Sequence, residues 1–363
     1  MATESASHSL SSSPASAEHR DRIVADPALH SRVPATDIDT LAALLAHLID
    51  TGADHLPLPG QGGTLSRWQT LADVAGLDLS LVKLFEGHTD ALAIIAEHEA
   101  DALVPADGQW GMWAAEPPFA RVAIEQTGDE CDASGSDVTI SGRKAWCSGA
   151  PILTHGLMTA WQNDAQRLVA VALDQPGVNV TDRGWEAVGM AATASVEVEF
   201  DHARALLIGP AGGYLERPGF WQGGAGIAAC WFGGARALGE TLRARAKGND
   251  NPHLLAHLGA VDVALESARA TLREAARWID AHPRESAQLI AMRARAVIEN
   301  AVNEVIHHTG RALGAGPYCR DPAFAQRMAD LPVFLRQSHA ERDLEALGRE
   351  LAAAEASPWG LSP

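Results

Sequence analysis

The sequence predicts an α+β chain in three blocks: an N-terminal helical domain over residues 21–109, a middle β-barrel or sandwich domain over 110–210, and a C-terminal four-helix bundle over 211–352. Three observations predict it. Apolar residues recur at helical spacing from about residue 40 to Leu103; short runs replace them from Trp110 to about residue 208; long helical periods return from Trp221. Strands grouped between two helical blocks exclude a sheet in which strands and helices alternate. Residues 1–20 read as a disordered leader and residues 353–363 as a tail.

The first helical run, Thr40 to Ile49, places leucines at helical spacing behind a cap at Asp39 or Thr40. Leu56 to Gly63 is a Pro/Gly-rich connector. Helical spacing resumes near Ser66, pauses at Gly76-Leu77-Asp78, and carries from Leu81 to Leu103. In the middle block, strands are predicted at Trp110–Ala115, Arg121–Gln126, Val138–Ile140, Leu157–Trp161, Arg167–Leu173 and Ser195–Phe200. The last alternates Val196, Val198 and Phe200 against Ser195, Glu197 and Glu199, as a half-buried strand does. Ala133 to Asp137 supplies a turn. Beyond Trp221, breaks at Gly248–Pro252, His282-Pro283 and Gly314–Pro317 leave four long helices with short joints, the pattern of an antiparallel bundle.

Composition narrows the function. The chain has 363 residues, 47% apolar and 20% charged, which is ordinary for a soluble globular protein. A net charge of -18, from 28 basic and 46 acidic residues, offers nucleic acid no basic footprint. No run approaches the roughly 18 to 20 apolar residues that span a bilayer. Met1 to Glu18 lacks the apolar segment of a signal peptide, so a cytoplasmic location away from membranes is expected. Cys131, Cys147, Cys230 and Cys319 are scattered, with no C-x-x-C to suggest a zinc site or disulfide framework. His307-His308 has no metal-ligand spacing, because adjacent helical residues do not face one site, and no metal is expected.

The chemistry concentrates in Gly142 to Ala150 and in a second glycine-centred turn, Gly189 to Ser195. An aromatic face at Trp146, a small hydroxyl at Ser148 and glycine-flanked backbone suit a flat, hydrogen-bonding ring. Several pieces, in order, resemble the acyl-CoA dehydrogenase superfamily. Ala114-Ala115-Glu116-Pro117 looks like its T-E-P segment, and Gly142-x-Lys144-x-Trp146-x-Ser148 like its G-x-K-x-W-I-[TS] segment. Pro176-Gly177-Val178, Trp185-x-x-x-Gly189-Met190, Glu199-Phe200 and the stretch from Asp321 to Asp330 follow, so that the resemblance covers roughly residues 35 to 350. It implies the same order of helices, β domain and bundle, and a homodimer or homotetramer. It also implies a flavin cofactor (FAD, with FMN as the alternative) and a small-molecule or acyl-thioester substrate. Trp146 would then lie against the isoalloxazine, Ser148 would donate its hydroxyl to flavin N5, and the backbone of Ala114, Ala115 and Glu116 would face the pyrimidine edge.

The departures are equally informative. After Pro117 the family's G-x-G-S-D is replaced by Pro118-Phe119-Ala120-Arg121-Val122, and its R-x-x-F-G is only echoed by Arg245-Ala246-Lys247-Gly248. The family's catalytic glutamate stands late in the chain in an E-G-[TS] context; here Ser338 occupies about that place, with His339 next to it. Some relatives carry the glutamate at the start of the bundle, where this chain reads Phe220 to Gly226 without a carboxylate. His339 is the residue best suited to replace it, since imidazole titrates near neutral pH. Ser338 and His88, the latter inside the polar interruption Glu86 to Asp90, complete the candidate catalytic set. Two reactions fit: reduced flavin reacting with oxygen to oxygenate a substrate, and oxidation of a CH–CH bond in which an atypical base takes the proton and hydride passes from the substrate to N5. A non-catalytic flavin-binding or scaffold protein is the reading from another class.

Overall fold

Asp37 opens the first long helix by accepting the Thr40 amide at 2.8 Å, two to three residues before the predicted cap. This computed structural model describes residues 23, 25–125, 133–355 and 357–360; the predicted leader, Gln126 and Cys131 lie outside them. The N-terminal helices are α1 (Pro27–His30), α2 (Ile38–Asp50), α3 (Thr64–Leu77) and α4 (Leu79–Glu97). The pause at Asp78 is a joint: its carboxylate accepts the Leu81 amide at 2.8 Å, starting α4, and the Ala35 amide at 2.9 Å. Helix α4 stops at Glu97, and only Asp101–Leu103 continues, as a short 3-10 turn.

Seven strands follow: β1 (Trp110–Trp113), β2 (Val122–Glu125), β3 (Asp137–Cys147), β4 (His155–Gln162), β5 (Ala165–Ala172), β6 (Val178–Val180) and β7 (Val196–Ile208). Strand β3 runs antiparallel to β2 and β7, β7 to β5, and β5 to β4. A parallel contact of β4 with β2 at Ala123 and Trp161 then closes a barrel. Closure leaves few open edges. Strand β1 adds in parallel to β4 from Trp110–His155 to Trp113–Met158, and β6 lies beside β7. Strand β3 is far longer than the predicted Val138–Ile140, because irregularities at Ile140/Gly142 and Lys144/Cys147 interrupt its alternation without ending it. Gly142, at φ 127°, is required there: a Cβ would stand 2.2 Å from the Arg121 carbonyl oxygen.

The C-terminal part comprises α5 (Gly213–Glu216), α6 (Gly219–Gly224), α7 (Gly226–Ala246), α8 (Pro252–Ala281), α9 (Gln288–Leu313), α10 (Ala315–Arg320), α11 (Pro322–Phe334) and α12 (Glu341–Ala353). The three breaks read at Gly/Pro clusters are present, but the fourth predicted helix is split again at Asp321 and over residues 335–340. Helix α3 packs on α7, and α7, α8 and α9 pack on one another. One buried apolar cluster runs from Leu41 and Phe85 through Ile140 and Val198 to Trp231 and Leu335, so barrel and helices share a core. Two motif pieces meet at the joint between them. A Cβ at Gly189 would stand 2.0 Å from the Ala329 carbonyl oxygen, and the Met190 amide donates to Asp330 Oδ1 at 2.5 Å. This contact anchors the Gly189–Ser195 turn to α11. No described helix is long and apolar enough to cross a membrane.

Candidate active site

A cavity of about 690 Å³ opens between α4, the end of β1, the β3 turn, the Met190–Ser195 turn and the helices α5, α6, α9 and α11. Its size is that of a pocket for a cofactor or small molecule. Trp146, Ser148, Ala114, Ala115 and His339 line it, as do Glu86 and Asp90.

Trp146 sits within the Lys144/Cys147 irregularity of β3, with φ 58° and 46% of its surface exposed. A left-handed backbone is uncommon for a bulky aromatic, and the bulge re-aims the ring away from the core. Its nearest aromatic neighbour is Phe119, edge-on at 6.0 Å. Met190 (φ 59°) and Ala194 (φ 39°) hold the facing turn in the same backbone region. Left-handed non-glycine residues at one cavity mark a site whose geometry the surrounding packing enforces.

Ser148 begins a chain of hydroxyls. Its Oγ lies 2.7 Å from Ser195 Oγ, which lies 2.8 Å from Thr193 Oγ1, which lies 2.8 Å from the Met190 carbonyl oxygen. The carbonyl can only accept, and each hydroxyl carries one proton. Every contact receives a proton only if Thr193 donates to Met190, Ser195 to Thr193 and Ser148 to Ser195. With the chain so directed, Ser148 would turn lone pairs toward the cavity; the Ser148–Ser195 and Ser195–Thr193 contacts themselves admit either donor. The β1 ladder ends at Trp113, whose Nε1 donates to the Ser148 carbonyl at 3.2 Å. The amides of Ala114 and Ala115 then pass along the wall with no backbone partner among the described residues.

Three sequence-chosen side chains are placed away from the cavity lining. His88 is 1% exposed; its Nδ1 accepts the Trp110 amide at 3.1 Å and its Nε2 lies 3.4 Å from Asp54, so it pins β1 to α4. Ser338 donates to Glu299 Oε2 at 2.5 Å and accepts the Ala340 amide at 3.1 Å, as a turn hydroxyl does. Glu116 turns into the barrel, where buried Lys144 donates to its Oε1 at 2.7 Å, Thr159 Oγ1 also bonds Oε1, and Trp161 donates to Oε2 at 3.0 Å. Lys144 also donates to the Thr159 carbonyl and hydroxyl at 2.8 and 2.7 Å. Burial pulls the Glu116 carboxyl up, but the Lys144 charge and the three side-chain hydrogen bonds outweigh it and hold the carboxyl below its ordinary range. The lysine of the G-x-K-x-W segment thus ties the loop after β1 to the barrel.

His339 reaches the cavity rim, 65% exposed on its side chain, with Nδ1 3.3 Å from Asp343. Arg121, in the stretch that replaces the family's G-x-G-S-D, covers Trp161 at 4.4 Å and donates to the Asn163 carbonyl at 3.0 Å. The residues that sequence reasoning missed are Lys83, Glu86, Asp90, Tyr214, Arg217 and Arg295. The first three had a signal: Glu86 and Asp90 stand three and seven residues beyond Lys83, on one face of α4. The carboxylates absent from the bundle come from the opposite wall. Asp90 Oδ1 lies 3.3 Å from where a Gly223 Cβ would stand.

The arrangement fits a flavin ring: an exposed indole for its face, unpartnered amides for its polar edge, and a hydroxyl oxygen at the middle. Residues 113–203 match the family model of the acyl-CoA dehydrogenase middle domain. The fold extends the likeness across the chain. KijD3, solved with FMN and dTDP-3-amino-2,3,6-trideoxy-4-keto-3-methyl-D-glucose, is 21% identical with a TM-score of 0.77, covering 96% of both chains. Methanesulfinate monooxygenase MsuC from Pseudomonas fluorescens is 19% identical with a TM-score of 0.75, covering 96% of this chain and 98% of its own. TdsC from Paenibacillus sp. A11-2, solved with FMN and indole, is 19% identical with a TM-score of 0.71, covering 94% and 96%. No curated protein matches the chain. The chain thus resembles the acyl-CoA dehydrogenase middle domain over residues 113–203 and shares its overall fold with these solved structures. It departs from the pattern of that family at the base: neither position where the family carries its glutamate has one here.

Proposed function

We propose that this chain is a flavin-dependent monooxygenase that holds reduced FMN against Trp146 and Ser148 and oxidises a small organic substrate with oxygen. The observation that carries the reading is the hydroxyl chain itself, taken to run from Ser148 toward the Met190 carbonyl. Ser148 offers an acceptor, which complements the N5–H of a reduced flavin; an oxidised N5 is itself an acceptor and would meet lone pair with lone pair. The reduced ring supplies the electrons that oxygen requires. Trp146 covers the ring, the amides of Ala114 and Ala115 bind its polar edge, and apolar Met112, Ile227, Val333 and Phe334 limit water. His339 at the rim moves protons between cavity and solvent.

FMN is favoured because KijD3 and TdsC hold it, and because the family's diphosphate-reaching R-x-x-F-G segment is not kept here. A homodimer or homotetramer and a cytoplasmic location belong to the same proposal. A second reading, CH–CH oxidation of an acyl thioester, is favoured by one observation: Glu86 and Asp90 put carboxylates into the cavity, where either could serve as base. Anaerobic mixing of the flavin-loaded protein with a panel of acyl-CoAs separates the two. The monooxygenase reading expects no bleaching of the flavin, and substrate-dependent oxygen uptake once reduced FMN is supplied. Bleaching by an acyl-CoA establishes the second reading. Failure to take up either FMN or FAD leaves only a scaffold.

A further inference from the structure

The charged groups of the cavity divide into those with partners and one without. Lys83 Nζ lies 3.2 Å from Glu86 Oε2. Arg217 Nη1 donates to Glu97 Oε2 at 2.8 Å, and Arg336 lies 3.2 Å from Glu299. Arg295 donates to the carbonyls of Gly224 and Gln337 at 2.9 and 3.0 Å and covers the Trp231 ring at 5.2 Å. Asp90 makes no hydrogen bond or ion pair with any described residue. Asp90 is half-buried and open to the cavity, so a ligand that fills the cavity and brings a donor replaces water on a carboxylate that no protein group satisfies.

We infer that Asp90 is the polar anchor for the substrate, and that the substrate carries a basic amine whose ammonium Asp90 accepts. A protonated amine answers Asp90 in both charge and hydrogen bonding, whereas a neutral N–H or hydroxyl answers only the second. The surroundings fit such a head group. Tyr214 and Phe220 supply aromatic surface beside Asp90, their rings 5.3 Å apart, and Gly223 and Gly224 leave room opposite it. Burial, with Glu86 adding to it, lifts the Asp90 carboxyl above its ordinary range against the pull of Arg217, Arg67 and Lys83; an incoming ammonium relieves that condition. The inference rests on the proposed function only in taking this cavity as the substrate site.

Three probes of similar shape test it: 2-phenylethylamine, propylbenzene and 3-phenylpropionate, titrated calorimetrically at neutral pH into the full chain, with and without FMN. The amine is expected to bind at least about tenfold more tightly than propylbenzene, the scale of one hydrogen bond to a charged group, and 3-phenylpropionate most weakly. Asp90→Asn should bring the amine to within about threefold of propylbenzene, with the melting temperature reported alongside. Equal binding of amine and hydrocarbon, tightest binding of the carboxylate, or an Asp90→Asn variant that keeps the amine preference overturns the inference, as does failure of all three probes. The wild-type series decides even if the variant does not fold. An amine preference without any uptake of FMN defeats the flavin reading alone; uptake of FMN without an amine preference defeats this inference alone.

Discussion

Removing the Ser195 hydroxyl should abolish the redox preference of the site. In Ser195→Ala the Ser148 proton loses its acceptor 2.7 Å away, while Thr193 keeps its bond to the Met190 carbonyl at 2.8 Å. Ser148 is then free to donate into the cavity. The oxidised ring gains one neutral hydrogen bond worth about 1 kcal/mol, while the Ser148 oxygen still accepts from the reduced ring. That changes the ratio of oxidised to reduced affinity by roughly fivefold. For a two-electron couple at about 30 mV per 1.4 kcal/mol, the midpoint potential of the bound flavin falls by about 20 mV. The assay is anaerobic titration of wild type and variant with oxidised and with reduced FMN, supported by spectroelectrochemistry. Ser195→Thr, which keeps the hydroxyl, should leave the ratio near wild type. An unchanged ratio in Ser195→Ala, or a stronger preference for the reduced form, refutes the assigned direction of the chain.

Asp330 should make the protein less stable as pH rises: burial pushes its carboxyl up to about 6 from 3.8, so the folded state holds the proton more tightly, and that stability is complete below 3.8 and lost through 6. The difference amounts to roughly 3 kcal/mol, and Asp330→Asn, which keeps an acceptor for the Met190 amide, should flatten the thermal-stability profile between about pH 4 and pH 6; an unaltered slope contradicts the assignment. Lys144→Met removes a buried ammonium from three acceptors and should cost about 2–3 kcal/mol in denaturant unfolding, below the full cost of breaking a buried pair because Glu116 is 24% exposed; a loss under about 1 kcal/mol counts against it. His339→Ala should move the melting temperature by no more than about one degree while altering the pH profile of turnover, and a variant with wild-type turnover and profile removes the residue from the mechanism.

Local patterns made most of the fold legible. Helical spacing placed the helices, and Gly/Pro clusters placed their breaks, because both signals are carried within a few residues. The length of β3 was hidden because its bulges break the period of two on which a strand reading depends. Barrel closure rests on the Ala123–Trp161 contact, which no local pattern encodes. At the site, Trp146, Ser148, Ala114, Ala115 and His339 were legible through their motif context, and the structure brings all five to one cavity. His88 misled because a polar residue inside an apolar helix has several uses; here it bonds Trp110, while its neighbours Glu86 and Asp90 face the cavity. Glu116 turns inward because its partner, Lys144, is 28 residues away on a strand whose register the sequence does not state. The direction of the hydroxyl chain depends on three side chains and a carbonyl meeting in space, so Ser148 alone reads as a donor.

The account centres on a cavity that binds flavin with its reduced form preferred. The direct measurement is the pair of dissociation constants of the wild-type protein for reduced and for oxidised FMN, taken anaerobically through quenching of its tryptophan fluorescence. The account predicts that both bind, that reduced FMN binds at least about fivefold more tightly, the worth of a single hydrogen bond, and that Trp146→Ala weakens both. Absence of binding, or tighter binding of the oxidised form, contradicts it.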